Sequence, residues 1–302
     1  MGSQTKHAPK VSVIVPSWSG DVGRLCNSLE QQTFQDYELI VVRGVSPGGL
    51  ARNQGVARSA GELLLFVDDD AYLGHDRVLE AMVALLDADA TISVAGPSKL
   101  IPPTASWLQR RIAAEIPRWV YPVLGQDTES NPPLDSYGFT GITTTCCLMR
   151  RSAFDDVGGF DPTLVKGQDT EFFYRVRRAN HRFVIPANSW VYHDPPSDMR
   201  TLLLKSFRGG KSHAIEARRH PERGMDVVPL DRWYGKLFVL VSPLLFVPSI
   251  FVSYVFEPVR GLQFGFRPIK ALSTLVTLYG YTYGWYSSEA EQRRKPQSAL
   301  PL

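Results

Sequence analysis

Gly61-Glu62-Leu63-Leu64-Leu65-Phe66-Val67-Asp68-Asp69-Asp70 is the stretch whose reading decides the fold. The apolar run from Leu63 to Val67 has the length of a buried strand, and the acids mark where that strand meets a loop. Three adjacent carboxylates repel one another and resist desolvation, so they need a compensating cation such as a divalent metal. A solvated loop tip is the other reading of the same residues.

Outward from this run the chain alternates between strand and helix. Val11-Ser-Val-Ile-Val15, closed by Pro16, reads as a buried strand. A helix over Asp21 to Gln32, a strand over Tyr37 to Val42 and a helix over Ala51 to Ala60 precede the acidic run. A helix over Asp76 to Asp87 and a strand over Thr91 to Ala95 follow it. This rhythm predicts an α/β domain with a mostly parallel sheet covered by helices on both faces. Ligands are then expected at the carboxyl ends of the strands, where Asp68 to Asp70 sit. From Pro97 to Pro133 the pattern loosens around the aromatic and basic stretch Trp107 to Tyr121. Long insertions of this kind are commonly functional, so acceptor recognition, with Trp107 on the acceptor side, is set against a surface excursion that covers the sheet edge.

A chain of 302 residues fits one α/β domain plus an appendage. Its formal net charge of +3 is too mild to argue for nucleic acid. The three cysteines, Cys26, Cys146 and Cys147, form no C-x-x-C pair and read as reduced thiols. Met1 to Lys10 is polar, without an apolar signal core, which places the catalytic part in the cytoplasm. Residues 237 to 256 carry no charge and have the length that crosses a bilayer. Ile269 to Tyr286 is a second apolar segment, with Gly280-x-x-x-Gly284 for close helix contact and clustered Tyr and Trp suited to a membrane interface. The two predict a hairpin at the cell membrane, with membrane lipid as a partner. Arg260, Arg267 and Lys270 in the loop leave open whether the hairpin spans or re-enters, and the Arg293-Arg294-Lys295 tail is cytoplasmic in either case. A buried helical hairpin in a soluble protein is the alternative.

Several motifs occur in order: Ala51-Arg52-Asn53-Gln54-Gly55, Ala60-Gly61-Glu62, Asp68-x-Asp70, Gly167-Gln168-Asp169-Thr170-Glu171-Phe172-Phe173 and Tyr192-His193-Asp194. From about Val11 to His213 this set resembles the nucleotide-sugar glycosyltransferases of family 2, which have a GT-A fold. The resemblance implies a nucleotide-diphosphate-sugar donor, Mn²⁺ or Mg²⁺, and one displacement with inversion at the anomeric carbon. It implies that Asp70 binds the metal and that Asp68 lies near the ribose or shares the ion. Asp69 is either on the donor side or a solvated neighbour. Pro16 and Arg52 are expected on the donor side, and Asn53 is expected to brace its helix. Asp169 is the implied general base. Gln168 stands where the family usually has an acid, so it can orient a hydroxyl without sharing the proton. Glu171 either touches the acceptor or pairs with Arg175 at i+4. His193 is either structural or the third metal ligand. Lys205 to His213 offers Arg208 and Lys211 on a Gly-Gly segment, either closing over the diphosphate or lying as a basic amphipathic helix on anionic lipid through Met199, Leu202, Leu203 and Phe207.

Two departures bear on specificity. The second strand ends in Arg43-Gly44 where the family has an acid that contacts the base, and Pro229-Leu-Asp-Arg232-Trp233 lacks the glutamine of the Gln-x-x-Arg-Trp motif in family members that build long polymers, which points to single addition. The domains expected are a disordered N-terminus (1–10), a GT-A domain (11–220), a membrane-associated helical hairpin (221–290) and a polar tail (291–302). The acceptor expected is a glycan or lipid-linked glycan. A nucleotidyltransferase on a similar sheet and a non-catalytic nucleotide-binding membrane scaffold are the rival readings.

Overall fold

The computed structural model describes residues 8–116, 119–132, 134, 141–165, 167–219, 221, 228–252, 254–257 and 261–294. Residues 1–7, Arg260 and Lys295 lie outside the described residues, as do the side chains of Arg293 and Arg294. The chain forms two compact units. The first comprises 1–113, 117–134 and 138–195, and the second 114–116, 135–137 and 196–302. The helical unit therefore begins before α7, whereas the sequence reading drew its boundary at residue 221.

The elements begin β1 (Val11–Ser17), α1 (Gly23–Glu30), β2 (Tyr37–Arg43), α2 (Gly48–Val56), β3 (Leu63–Val67), β4 (Ala71–Leu73), α3 (Val78–Ala88), β5 (Ile92–Ala95), β6 (Ser98–Leu100) and α4 (Trp107–Glu115). They continue β7 (Thr128–Glu129), β8 (Cys146–Arg150), α5 (Arg151–Asp156), α6 (Gln168–Arg178), β9 (Arg182–Ile185), β10 (Trp190–His193), α7 (Met199–Arg219), α8 (Trp233–Val252), β11 (Tyr254–Glu257), β12 (Gly261–Phe264) and α9 (Pro268–Arg294).

In the first unit a seven-stranded sheet has the order β2-β1-β3-β8-β5-β9-β7. The unbroken apolar run of β3, and that of β1 interrupted only by the buried Ser12 as far as Val15, follow from burial on both faces. Val13 and Leu65 point into a cluster with Leu25, Leu79 and Met82, while Ile14, Leu64 and Phe66 point into one with Phe154, Phe160 and Phe172. The sheet is mostly parallel in direction, as expected, with two reversed strands that make it mixed: β2, β1, β3, β5 and β9 share one direction, whereas β8 runs antiparallel to β3 and β5, and β7 to β9. The reason lies in the connection. β8 is reached through the irregular insertion and not through a helical crossover, so nothing imposes a parallel direction on it.

A second, three-stranded sheet, β4-β10-β6, positions the site. Its antiparallel register sets His193 opposite Ala71, one residue beyond the acid run.

In the second unit α7 and α9 pack to backbone contact. A methyl added at Gly210 would overlap the Thr277 carbonyl oxygen, and one at Gly280 the Phe207 carbonyl oxygen. The Ser206 and Ser273 hydroxyls bond across the same seam at 2.7 Å. The Gly280-x-x-x-Gly284 reading thus finds its partner helix, and of the two readings of the Gly209-Gly210 segment the structure has the helix. Both glycines lie inside α7, and Gly210 serves this contact. The face expected on lipid is also packed: Leu202 is fully buried, and the Phe207 ring lies 5.7 Å from that of Tyr283.

The first apolar segment is helical only as far as Val252. Residues 254–257 pair with Gly261–Phe264 as a β-hairpin instead. Among the described residues α8 alone is long and apolar enough to cross a membrane, with a mean hydropathy of 2.0 over its best window, 11% of which is buried. α9 is longer, but its serines, threonines, glycines and tyrosines lower its hydropathy below that of a spanning helix.

Candidate active site

The carboxyl end of β3 opens directly into the acid turn. Asp68 N donates to the Thr145 carbonyl at 3.2 Å, and Ala71 N closes the turn on the Asp68 carbonyl at 3.1 Å. Each of the three acids has a different partner. Asp68 Oδ1 accepts from Arg52 Nη2 at 2.6 Å, Asp69 Oδ2 from the Ser17 hydroxyl at 2.6 Å, and Asp70 Oδ1 lies 3.2 Å from His193 Nε2. Burial pushes the Asp68 carboxyl up, against Arg52, which lowers it; Asp70 and Asp169 raise it further, and His193 lowers it.

Asp68, Asp70 and His193 offer ligand atoms that all lie within 4.8 Å of one another. Two carboxylates and one imidazole nitrogen form a donor set that fits Mn²⁺, and the carboxylates also fit Mg²⁺. The residues present therefore suit the expected ion. His193 is buried and stacks on Trp119 with ring centroids 5.4 Å apart, and its Nδ1 has no hydrogen-bond partner among the described residues.

Arg52 enters from α2, which starts at Gly48 and places it in the second turn. Its guanidinium is 6% exposed, donates to Gln168 Oε1 at 3.3 Å and lies 5.6 Å from the Phe160 ring centroid. Gln168 is itself fixed, since its amide donates to the carbonyls of Leu164 and Val165 at 2.7 and 3.2 Å. The residue read as an orienter of hydroxyls thus spends its polar atoms on Arg52 and on the chain leading into α6. Asp169 follows in the first turn of α6, where the left-handed N-cap Gly167 (φ 73°) turns the chain. Its Oδ1 accepts from Thr170 N at 3.0 Å.

A cleft of about 360 Å³ gathers Pro16, Arg52, Asp68, Gln168 and Asp169 in its lining. It adds Ser17, Trp18, Val45, Gly48, Thr144, Val165 and Gly167, which the sequence reading did not single out. For Ser17 and Gly48 a signal existed: each follows a strand at its carboxyl end, or opens the next helix, in an α/β pattern.

Other expected residues fall elsewhere. Glu171, read as acceptor-side or as a partner of Arg175, is buried with both carboxylate oxygens on Arg175 at 2.6 and 2.8 Å and does not line the cleft. Trp107, expected on the acceptor side, is 75% exposed at the start of α4 and does not line it either. Arg208 and Lys211 lie on α7 in the helical unit, with Lys211 Nζ 5.4 Å from the Tyr283 ring centroid. Asn53 is a two-way brace on Phe160, its amide donating to the carbonyl at 2.8 Å and its Oδ1 accepting from the N–H at 2.9 Å. Cys146 and Cys147, opposite Val67 and Phe66, are buried free thiols, and burial pushes both well up, so neither is a nucleophile at neutral pH. The Arg43 turn packs against Gly20, whose φ of +82° admits the close approach.

Comparison with known proteins agrees with this fold. The fold matches the mannosyltransferase PcManGT of Pyrobaculum calidifontis, solved in complex with GDP-Man and Mn²⁺, with a TM-score of 0.58 and 14% identity over 94% of this chain and 89% of that one. In sequence the chain is 28% identical over 188 residues to the pre-mycofactocin glycosyltransferase of Mycobacterium tuberculosis, covering 59% of this chain and 36% of that protein. It is 28% identical over 172 residues to the succinoglycan biosynthesis protein ExoM of Rhizobium meliloti, covering 54% of this chain and 51% of that protein. The chain thus spans between about a third and a half of the length of these relatives. The model of the family described as glycosyltransferase like family 2 matches residues 3–212, well over half of the sequence, and the chain belongs to that family.

Proposed function

We infer that this chain is a metal-dependent, inverting glycosyltransferase that moves one sugar from a nucleoside diphosphate to a hydroxyl of a glycan or lipid-linked glycan. The observation that carries this reading is the convergence of Arg52, Asp68 and Asp169 on one cleft, with Asp70 and His193 completing a three-ligand cluster on Asp68. Asp68, Asp70 and His193 would hold the ion, which when bound offsets the charge that develops on the departing diphosphate. Arg52 presents a buried cation held by Asp68 and Gln168, a fixed charge that suits phosphate oxygens and needs little reorganisation. Asp169 takes the proton of the attacking hydroxyl, because it is the cleft carboxylate that no described cation or metal ligand set engages. Ser17 holds Asp69 and so fixes the acid turn.

The exposed apolar surface of α8 supports attachment to the cell membrane, with the cleft-bearing unit on the cytoplasmic side. Pro229-Leu-Asp-Arg232-Trp233, with proline where the polymerising enzymes have glutamine, supports one addition per acceptor. The GDP-Man and Mn²⁺ of the Pyrobaculum complex make that donor and that ion the first to try. The test is hydrolysis of UDP-, GDP- and dTDP-sugars by detergent-solubilised protein with Mn²⁺, Mg²⁺ or chelator. Metal-dependent release of a nucleoside diphosphate is expected. Turnover of a sugar 1-phosphate with a nucleoside triphosphate, and none of any nucleotide sugar, would replace this reading with nucleotidyl transfer.

A further inference from the structure

The helical unit contains a cavity of about 520 Å³ between α8 and α9, inside the roughly 300–1,000 Å³ range of sites that enclose small ligands. A gap of this size, open at the surface, contrasts with the neighbouring α7–α9 seam, which is packed to backbone contact. The gap is therefore a local feature of the α8–α9 face and not general looseness.

The lining defines its chemistry. One face of α9, from Lys270 through Thr274 and Leu278 to Tyr281, meets one face of α8 carrying Phe238, Ser242, Leu245 and Ser249. From Lys270 to Tyr281 the helix rises about 16 Å, at roughly 1.5 Å per residue, so the cavity is a slot along the helices. Three of the hydroxyls in its lining are used within their own helices. Ser242 donates to the Val239 carbonyl at 2.8 Å, Ser249 to Phe246 at 2.6 Å and Thr277 to Ser273 at 2.8 Å, each within its own helix. A polar ligand would find few partners there, whereas a hydrocarbon chain would lose no hydrogen bonds on entry. His213 closes one end in edge contact with Tyr281, at 5.8 Å between ring centroids. Lys270 stands at the other end, its backbone N–H donating to a Glu115 carboxylate oxygen at 3.0 Å, so the slot's end carries a cationic side chain.

The slot is also continuous with the surface that meets lipid. Phe238 and Leu245 line it and are 45% and 46% exposed, on the same helix whose Leu240 and Leu244 are 75% and 77% exposed. We propose that this slot is a binding site for one acyl chain of an anionic membrane phospholipid, entered laterally past α8, with the lipid phosphate at Lys270. The inference rests on the membrane reading of α8 and on nothing in the cleft.

The test uses full-length protein in non-ionic detergent, dosed with dioleoyl phosphatidylglycerol or dioleoyl phosphatidylcholine and weighed by native mass spectrometry. Sedimentation with vesicles of the same lipids tests the membrane reading separately. Wild type is expected to keep one phosphatidylglycerol and to prefer it over phosphatidylcholine. Leu278→Trp fills the slot and should lower the one-lipid adduct by about tenfold. Leu240→Trp, outside the lining, should leave it unchanged, and Lys270→Gln should keep the adduct but lose the headgroup preference. If Leu278→Trp does not fold, Thr274→Met obstructs the slot with a flexible chain and gives the same comparison. Vesicle binding without a stoichiometric adduct would overturn the slot and leave the anchor standing. Equal adducts in the Leu278→Trp and Leu240→Trp proteins would overturn it too, as would a lipid-free dimer, which would give the slot to a second copy of the chain.

Discussion

The acid turn after β3 and the glycine seam between α7 and α9 each carry a local cost that a tertiary arrangement offsets, and they are offset from different places. Glycine in a helix costs up to about 1 kcal/mol relative to alanine, and Gly210, Gly280 and Gly284 recover that cost within the chain by letting two backbones touch. The acid turn recovers only part of its cost. Arg52 neutralises Asp68, but Asp70 and Asp169 still push that carboxyl up after burial has done so. The difference separates a structural device from a candidate site: where the chain leaves an excess of carboxylates beside a cleft, an external cation is the group that would offset it.

The largest expected effect tests which carboxylate of the cleft does chemistry. Asp169→Asn keeps the shape and removes the proton acceptor, so kcat should fall by roughly 10² to 10⁴-fold with donor affinity nearly unchanged. Gln168→Ala should behave differently. It frees Arg52 from one of its two tethers, so its loss should be smaller and should appear chiefly in donor affinity. Steady-state kinetics beside donor titration checks both. Near-normal kcat in Asp169→Asn would move the base elsewhere.

Next in size is the imbalance itself. Asp70→Asn removes one member of the Asp68–Asp70–His193 cluster and should weaken Mn²⁺-dependent nucleotide binding by about 10 to 100-fold or more, since even outer-shell partners of a metal carry that much. The same change relieves repulsion on Asp68, so the metal-free protein should unfold at an unchanged or higher temperature. Calorimetry with and without Mn²⁺ measures the first. An unaltered Mn²⁺-dependent affinity would mean that the acid turn is a loop tip.

These two regions were also unequally legible in the sequence. The acid turn could be read because its parts are adjacent: five apolar residues give the strand and three acids its end. The i, i+4 spacing of Glu171 and Arg175 was readable for the same reason. His193 could be placed beside Asp70 only through the family resemblance, because the contact is made by pairing β10 with β4, and strands and helices from α3 to β9 lie between the two in the chain. Strand direction was invisible. Cys146 to Met149 is a short buried run that reads the same parallel or antiparallel, and only its connection decides. The Gly209-Gly210 segment stayed open between a mobile closure and a helix because glycine lowers helix propensity, and the reason to keep Gly210 in a helix sits on α9, far along the chain. The end of α8 was equally hidden, since Tyr254-Val-Phe is as apolar as the helix before it and turns into strand by pairing with Gly261–Phe264.

The seam gives a smaller effect than either cleft substitution. A methyl at Gly210 meets the Thr277 carbonyl oxygen, a backbone atom that cannot rotate aside, so Gly210→Ala should destabilise the helical unit by about 1–3 kcal/mol as overpacking does. Thermal unfolding followed by circular dichroism would register a lower midpoint. A neutral result would mean that α7 and α9 stand further apart than backbone contact.

The smallest effect has the opposite sign and comes from the adjacent residue. Gly209 shares the helix, the sequence context and the propensity cost of Gly210, yet a methyl built on it meets nothing within 4 Å. Only the intrinsic terms then remain: alanine restricts the unfolded chain and suits the helix, so Gly209→Ala should stabilise by about 0.5–1 kcal/mol. The pair of variants is more informative than either alone. If both raise the midpoint, the glycines are tolerated and the seam is loose; if both lower it, Gly209 has a contact partner that the α7–α9 geometry does not show. Opposite shifts at two consecutive glycines are what a helix gives when one of its faces is pressed against another backbone and the next residue points away.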